Sequence, residues 1–169
     1  MPRNLYLLGS TGSIGTTTLK VIKKNKKNFR IKLLSTNKNI SKIYKQAVEF
    51  NVKKIVIFDK KKYLENIPLF KKAKIKVFSS ITDALKNNKN KVFLTINAIS
   101  GIDGLEPSLN IISHTKNLAI ANKESIICGW NLIKRKLKKH KTEFIPIDSE
   151  HFSIFELIKN EKSENIKKI

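Results

Sequence analysis

The run Leu5-Tyr6-Leu7-Leu8-Gly9-Ser10-Thr11-Gly12-Ser13-Ile14-Gly15 constrains this chain most: an apolar stretch gives way to glycines three residues apart and then to a helical pattern. Glycine lets a backbone turn tightly and come close to a ligand, and the N–H groups opening the following helix attract an anion. The spacing G-x-x-G-x-x-G departs from the commoner G-x-G-x-x-G, so the glycines carry little alone. Set between a strand and a helix, they point to a phosphate cradle with a nucleotide as its ligand.

The rest of the chain repeats the strand-then-helix alternation of a parallel sheet covered by helices. Strands are predicted at Leu5 to Leu8, Ile31 to Leu34, Lys54 to Phe58, Ile75 to Phe78, Val92 to Asn97, Asn117 to Ala121 and Glu143 to Ile147. Helices are predicted at Thr16 to Lys24, Ile40 to Phe50 with Ser41 as a candidate cap, Ile81 to Lys86, Leu105 to Ile112 and Ser125 to Leu137. The fold class is α/β, a doubly wound and mostly parallel sheet forming a Rossmann-like NADP-binding domain. After Ile147 the alternation stops, and Lys159 to Ile169 reads as a charged ending. Lys86 to Lys91 reads as a surface turn.

Charge offers a competing reading. With 35 Lys and Arg against 13 Asp and Glu, the formal charge is +22, which raises nucleic acid as a partner. The lysines are spread along the whole chain among many Asn and Ile, and arginine, better suited to bidentate phosphate and base contacts, is rare. No specific nucleic-acid partner is expected, only salt-sensitive affinity for polyanions. The single cysteine, Cys128, excludes an internal disulfide and a cysteine-based zinc site. No export signal and no apolar run of membrane-spanning length is read, so the expected location is the cytoplasm, without a membrane partner.

Three turns could carry chemistry. Ser35-Thr36-Asn37-Lys38-Asn39, after the second strand, has no acid where an NAD-binding fold places one, and has a lysine suited to the 2′-phosphate of NADP. A plain polar turn in a lysine-rich chain explains it equally well. Asn122-Lys123-Glu124-Ser125 puts a cation at the carboxyl end of a strand, yet also reads as a capped helix start. In Asp148-Ser149-Glu150-His151, two carboxylates two residues apart could converge on magnesium or manganese, or simply cap a helix. His151 is open between ligand and packed residue, while His114 and His140 read as surface residues. The loop Ala98 to Pro107, with Gly101 and Gly104, follows the central strand and borders the same crevice.

In this order, the segments Leu8 to Gly15 with Thr18-Leu19, Ala98 to Pro107, Ala119 to Ser125, and Pro146 to His151 with Ile154-Phe155 resemble the 1-deoxy-D-xylulose 5-phosphate reductoisomerase family. The resemblance runs from Leu5 to about Leu157. It implies an NADPH- and metal-dependent enzyme of non-mevalonate isoprenoid biosynthesis, which converts 1-deoxy-D-xylulose 5-phosphate to 2-C-methyl-D-erythritol 4-phosphate. It further implies that Thr11, Gly12, Ser13 and Ile14 contact the NADPH phosphates, and that Lys38 and Asn39, with Asn37 in the same turn, hold the adenosine side. Asn122 and Glu124 would also line the cofactor site. Lys123, Ser149 and Glu150 would line the sugar phosphate site, and Asp148 and Glu150 would ligate Mg2+ or Mn2+, with Co2+ an alternative. Asn37 departs from the family's glycine before the Lys-Asn pair.

The resemblance also implies that residues 1–147 are the NADPH-binding domain and 148–169 the start of a catalytic domain. The chain is accordingly expected to be the amino-terminal part of an enzyme that is homodimeric at full length. The alternative is a stand-alone NADP-binding module without turnover.

Overall fold

The structure, a computed structural model, describes residues 1–88, 90–161 and 165; the His151 side chain, Lys89 in the expected surface turn and most of the expected charged ending lie outside the described residues. The strands are β1 (Arg3–Leu8), β2 (Phe29–Thr36), β3 (Lys54–Ile57), β4 (Lys76–Phe78), β5 (Val92–Asn97), β6 (Thr115–Ile120) and β7 (Glu143–Pro146). The α-helices are α1 (Ser13–Lys24), α2 (Ile40–Glu49), α3 (Lys60–Lys72), α4 (Ile81–Leu85), α5 (Leu105–Ile111), α6 (Lys123–His140) and α7 (Ser149–Ile158). All seven strands form one parallel sheet in the order β4-β3-β2-β1-β5-β6-β7. The chain winds outward from β1 through β4, then returns to β5 and winds the other way. That reversal leaves a crevice outside the carboxyl ends of β1 and β5.

Alternation along the strands produces the layers, since successive side chains point to opposite faces. Leu5 and Leu7 enter one core with Leu19 and Ile22 of α1, Ile43 and Ala47 of α2, and Phe70 of α3. Tyr6 and Leu8 enter the other with Ile81 and Leu85 of α4, Ile111 of α5, and Ile126, Ile133 and Leu137 of α6. Strands buried on both faces read as continuous apolar runs, which is why Leu5 to Leu8 stood out.

Three expectations change. The stretch before β4 is a helix, α3, although Pro68 inside it removes an amide donor and its sequence is largely polar. Its place is held by Phe70, fully buried with its ring 5.7 Å from that of Tyr44, and by Asp59, which caps the helix by accepting from Lys62 N at 2.8 Å. The cap of α2 is Asn39 rather than Ser41, with Asn39 Oδ1 accepting from Lys42 N at 3.1 Å. The alternation also continues past Ile147, where α7 starts directly after β7.

Candidate functional site

Two adjoining depressions occupy the crevice. One, of about 720 Å³, is lined by Gly9, Thr11, Gly12, Thr36 and Asn37 on one side and by the loop after β5 on the other. The second, of about 420 Å³, shares Ala98, Ile99 and Ser100 with the first and is lined further by Ile14, Asn122, Lys123, Glu124, Asp148, Ser149 and Glu150. The four segments singled out in the sequence therefore meet around one crevice. Ser13, Lys38 and Asn39 stand beside it without lining either depression. Lys38 is exposed, its Nζ 3.8 Å from Asp59 Oδ2.

The glycine loop is built for close approach. Gly9 has φ +72°, and a Cβ there would stand 2.6 Å from Ala98 O. A Cβ on Gly15 would stand 2.3 Å from Gly9 O, so only glycine lets α1 start tight against the turn. Asn39, Asp59, Ser80 and Asn122 cap their helices with side-chain oxygens, but α1 begins on Gly12 with no side-chain cap and no acid in its first turn. Its first N–H groups and dipole are thus directed at the crevice, as a pyrophosphate requires.

Buried Asn97 shapes the loop after β5, its Nδ2 donating to Gly104 O at 2.8 Å and to Ser108 Oγ at 2.7 Å. Asn122 acts both as cap and as brace: Oδ1 accepts from Ser125 N at 2.9 Å and Nδ2 donates to Ile99 O at 2.8 Å. The two readings of this turn are compatible, because the cap is what sets Lys123 and Glu124 at the rim. Lys123 Nζ then stands 4.0 Å from Glu150 Oε1, and Ser149 Oγ donates to Glu150 Oε2 at 2.8 Å. The Ser149 hydroxyl, the residue's own backbone N–H and the Lys123 charge together hold the Glu150 carboxyl below its ordinary value. Its carboxylate, with that of half-buried Asp148, supplies the hard oxygen donors that magnesium and manganese favour. Among the described residues no three of His, Cys, Asp and Glu gather at one point.

Asn37 does not need the left-handed region. Among the described residues the non-glycine positions with positive φ are Asn51, Lys74 and Lys141. The absence of glycine at position 37 therefore does not strain this turn. His114 and His140 are half-buried rather than surface residues, and lie at the amino ends of the strands, away from the crevice. Lys42 and Gln46, which reach the glycine loop from α2, were missed in the sequence, although their i, i+4 spacing places them on one helix face.

A family model described as 1-deoxy-D-xylulose 5-phosphate reductoisomerase matches residues 5–129. The chain belongs to this family. A reductoisomerase of Pelagibacter ubique is 53% identical over 169 residues, which cover 99% of this chain and 44% of that protein. One from Thermotoga maritima is 40% identical over 162 residues, covering 94% of this chain and 40% of the relative. The chain thus spans less than half the length of these relatives. Among solved structures, the reductoisomerase from Zymomonas mobilis in complex with NADPH superposes with a TM-score of 0.82 at 31% identity, over 92% of this chain and 41% of that one. A reductoisomerase in complex with NADPH, fosmidomycin and magnesium also gives 0.82, at 30% identity, over 91% of this chain and 38% of its own.

Proposed function

We propose that this chain is the NADPH-binding part, with the first metal-binding turn, of an enzyme converting 1-deoxy-D-xylulose 5-phosphate to 2-C-methyl-D-erythritol 4-phosphate. The observation that carries the reading is the convergence of the glycine loop, the turn after β2, the loop after β5 and the two charged turns after β6 and β7 on one crevice. The NADPH and magnesium complexes of similar reductoisomerases support it. Residues 1–147 form the cofactor domain in this reading, and 148–169 open the catalytic domain. A homodimer and a cytoplasmic location rest on family membership; among the described residues no helix is long and apolar enough to cross a membrane.

In this assignment Thr11, Gly12, Ser13 and Ile14 hold the NADPH pyrophosphate at the start of α1, and Asn37, Lys38 and Asn39 hold the adenosine side with its 2′-phosphate. Asn122 and Glu124 line the cofactor site at the end of β6. Asp148 and Glu150 hold the divalent metal, while Lys123, Ser149 and Glu150 orient the sugar phosphate. NADPH supplies hydride and the metal supplies Lewis acidity toward the substrate's oxygens. Lys123 offers a point charge to a substrate oxygen and adds to the lowering of the Glu150 carboxyl's pKa, which the Ser149 hydroxyl leads. The Ser149 hydroxyl orients the same carboxylate.

A chimera tests this reading: residues 1–169 replace the matching segment of the Pelagibacter ubique relative. Substrate-dependent NADPH oxidation is the expected result. A folded chimera that binds NADPH without turnover would favour a module that binds the cofactor alone.

A further inference from the structure

Gln46 lies on α2 one helical turn beyond Lys42, is 7% exposed, and spends both ends of its amide on one residue of the glycine loop. Gln46 Oε1 accepts from Ser10 Oγ at 2.7 Å, and Gln46 Nε2 donates to Ser10 O at 2.9 Å. Ser10 is fully buried and is tied in turn to β2, its backbone N donating to Ser35 O at 2.9 Å. Lys42 adds a second tie from α2, Nζ donating to Thr11 O at 2.8 Å. The first turn of α2 is also where the Lys38-Asn39 turn ends, because Asn39 caps that helix. One short helix therefore carries the 2′-phosphate turn at its start and grips the phosphate loop from its side.

We infer that Gln46, assisted by Lys42, is a positioning residue that fixes the spacing between the phosphate loop and the Asn37 to Asn39 turn, and so sets the preference for NADPH over NADH; this rests on the cofactor reading above. The loop grips the pyrophosphate, common to both cofactors, and the turn grips the 2′-phosphate, present in NADPH alone. If the two grips float relative to each other, NADPH cannot satisfy both at once, whereas NADH needs only the first. A buried glutamine with both amide ends satisfied is a rigid spacer, since leaving either end unpaired is costly. Orientation of this kind contributes to binding by ordering groups before the ligand arrives.

The test is calorimetric titration of the 169-residue chain and its Gln46→Met variant with NADPH and NADH, alongside thermal unfolding. Loss of the two buried hydrogen bonds is expected to weaken NADPH about 10-fold while changing NADH by no more than about 2-fold. A role in packing alone would lower the unfolding temperature and leave the ratio of the two affinities unchanged, and that result overturns the inference. If Gln46→Met does not fold, Ser10→Ala removes the hydroxyl that meets Gln46 Oε1 at 2.7 Å and Ser35 O at 3.2 Å while leaving the Gln46 Nε2 bond to Ser10 O, and it is expected to narrow the ratio in the same direction. A wild-type preference that survives these substitutions overturns the spacer role alone. Equal binding of both cofactors by the wild-type chain overturns the cofactor assignment as well.

Discussion

Lys123 Nζ stands 4.0 Å from Glu150 Oε1, so the charged turns that follow the adjacent strands β6 and β7 close on each other at one rim of the crevice. The Ser149 hydroxyl, and after it the Lys123 charge, hold the exposed Glu150 carboxyl below its ordinary value. Substitution of Asp148→Asn or Glu150→Gln is expected to weaken Mn2+ binding at least about 10-fold, as loss of one charged oxygen from a small ligand set implies. NADPH affinity should hold, because Gly9, Thr11 and Gly12 of the glycine loop line the other depression. Electron paramagnetic resonance of free Mn2+ reads the first quantity and calorimetry the second; unchanged Mn2+ affinity would remove the metal assignment.

Gly15 offers a steric test of the cradle. A Cβ at this position meets Gly9 O at 2.3 Å and Ser10 Cα at 2.6 Å, both backbone atoms that cannot swing aside. Gly15→Ala should force the loop and α1 apart, costing about 1–3 kcal/mol of stability by overpacking, and should abolish NADPH binding. Urea unfolding and cofactor titration measure the two effects. A variant of wild-type stability and affinity would show that the contact between α1 and the turn is not needed.

What the sequence revealed and what it hid have physical causes. The buried parallel strands and the glycine loop were legible because continuous apolar runs and glycines at a turn leave little else for the chain to do. Helix α3 was hidden because its pattern is polar and holds Pro68, and the burial of Phe70 against Tyr44 and the Asp59 cap sustain it. The cap on α2 was misplaced by two residues because Asn39 and Ser41 are both acceptable cap types, and only the geometry of the turn selects between them. At the crevice, lining residues such as Thr11, Gly12, Asn37, Lys123 and Asp148 were named from the sequence, while Gln46 and Asn97, which brace its walls, were not. Gln46 bonds a loop residue 36 positions away and Asn97 the loop that follows its own strand, and neither partner shows in the local residue pattern.

The amino ends of the strands carry a pH dependence. Burial holds the His114 imidazole below its ordinary value of 6.5, opposed by a backbone hydrogen bond involving Asn88 and aided by the charges of His140 and Lys91. The unfolded chain then binds the proton more readily than the folded one, so stability is lost as the pH falls through about 6.5 toward the folded value. Urea unfolding at pH 7.5 and pH 5.5 should show a larger loss for the wild type than for His114→Gln. Equal losses would assign the dependence to other groups, His140 first among them because its value is lowered too.

In the proposed function this crevice takes NADPH and reads its 2′-phosphate through the turn at Asn37 to Asn39. Calorimetric titration of the 169-residue chain with NADPH and NADH, for the wild type and for Lys38→Ala, is the test. NADPH is expected to bind more tightly, with a preference that narrows about 5-fold or more without the Lys38 charge and that weakens as salt screens that charge. Equal affinity of the wild-type chain for the two cofactors, or a preference unaffected by Lys38→Ala, would contradict it.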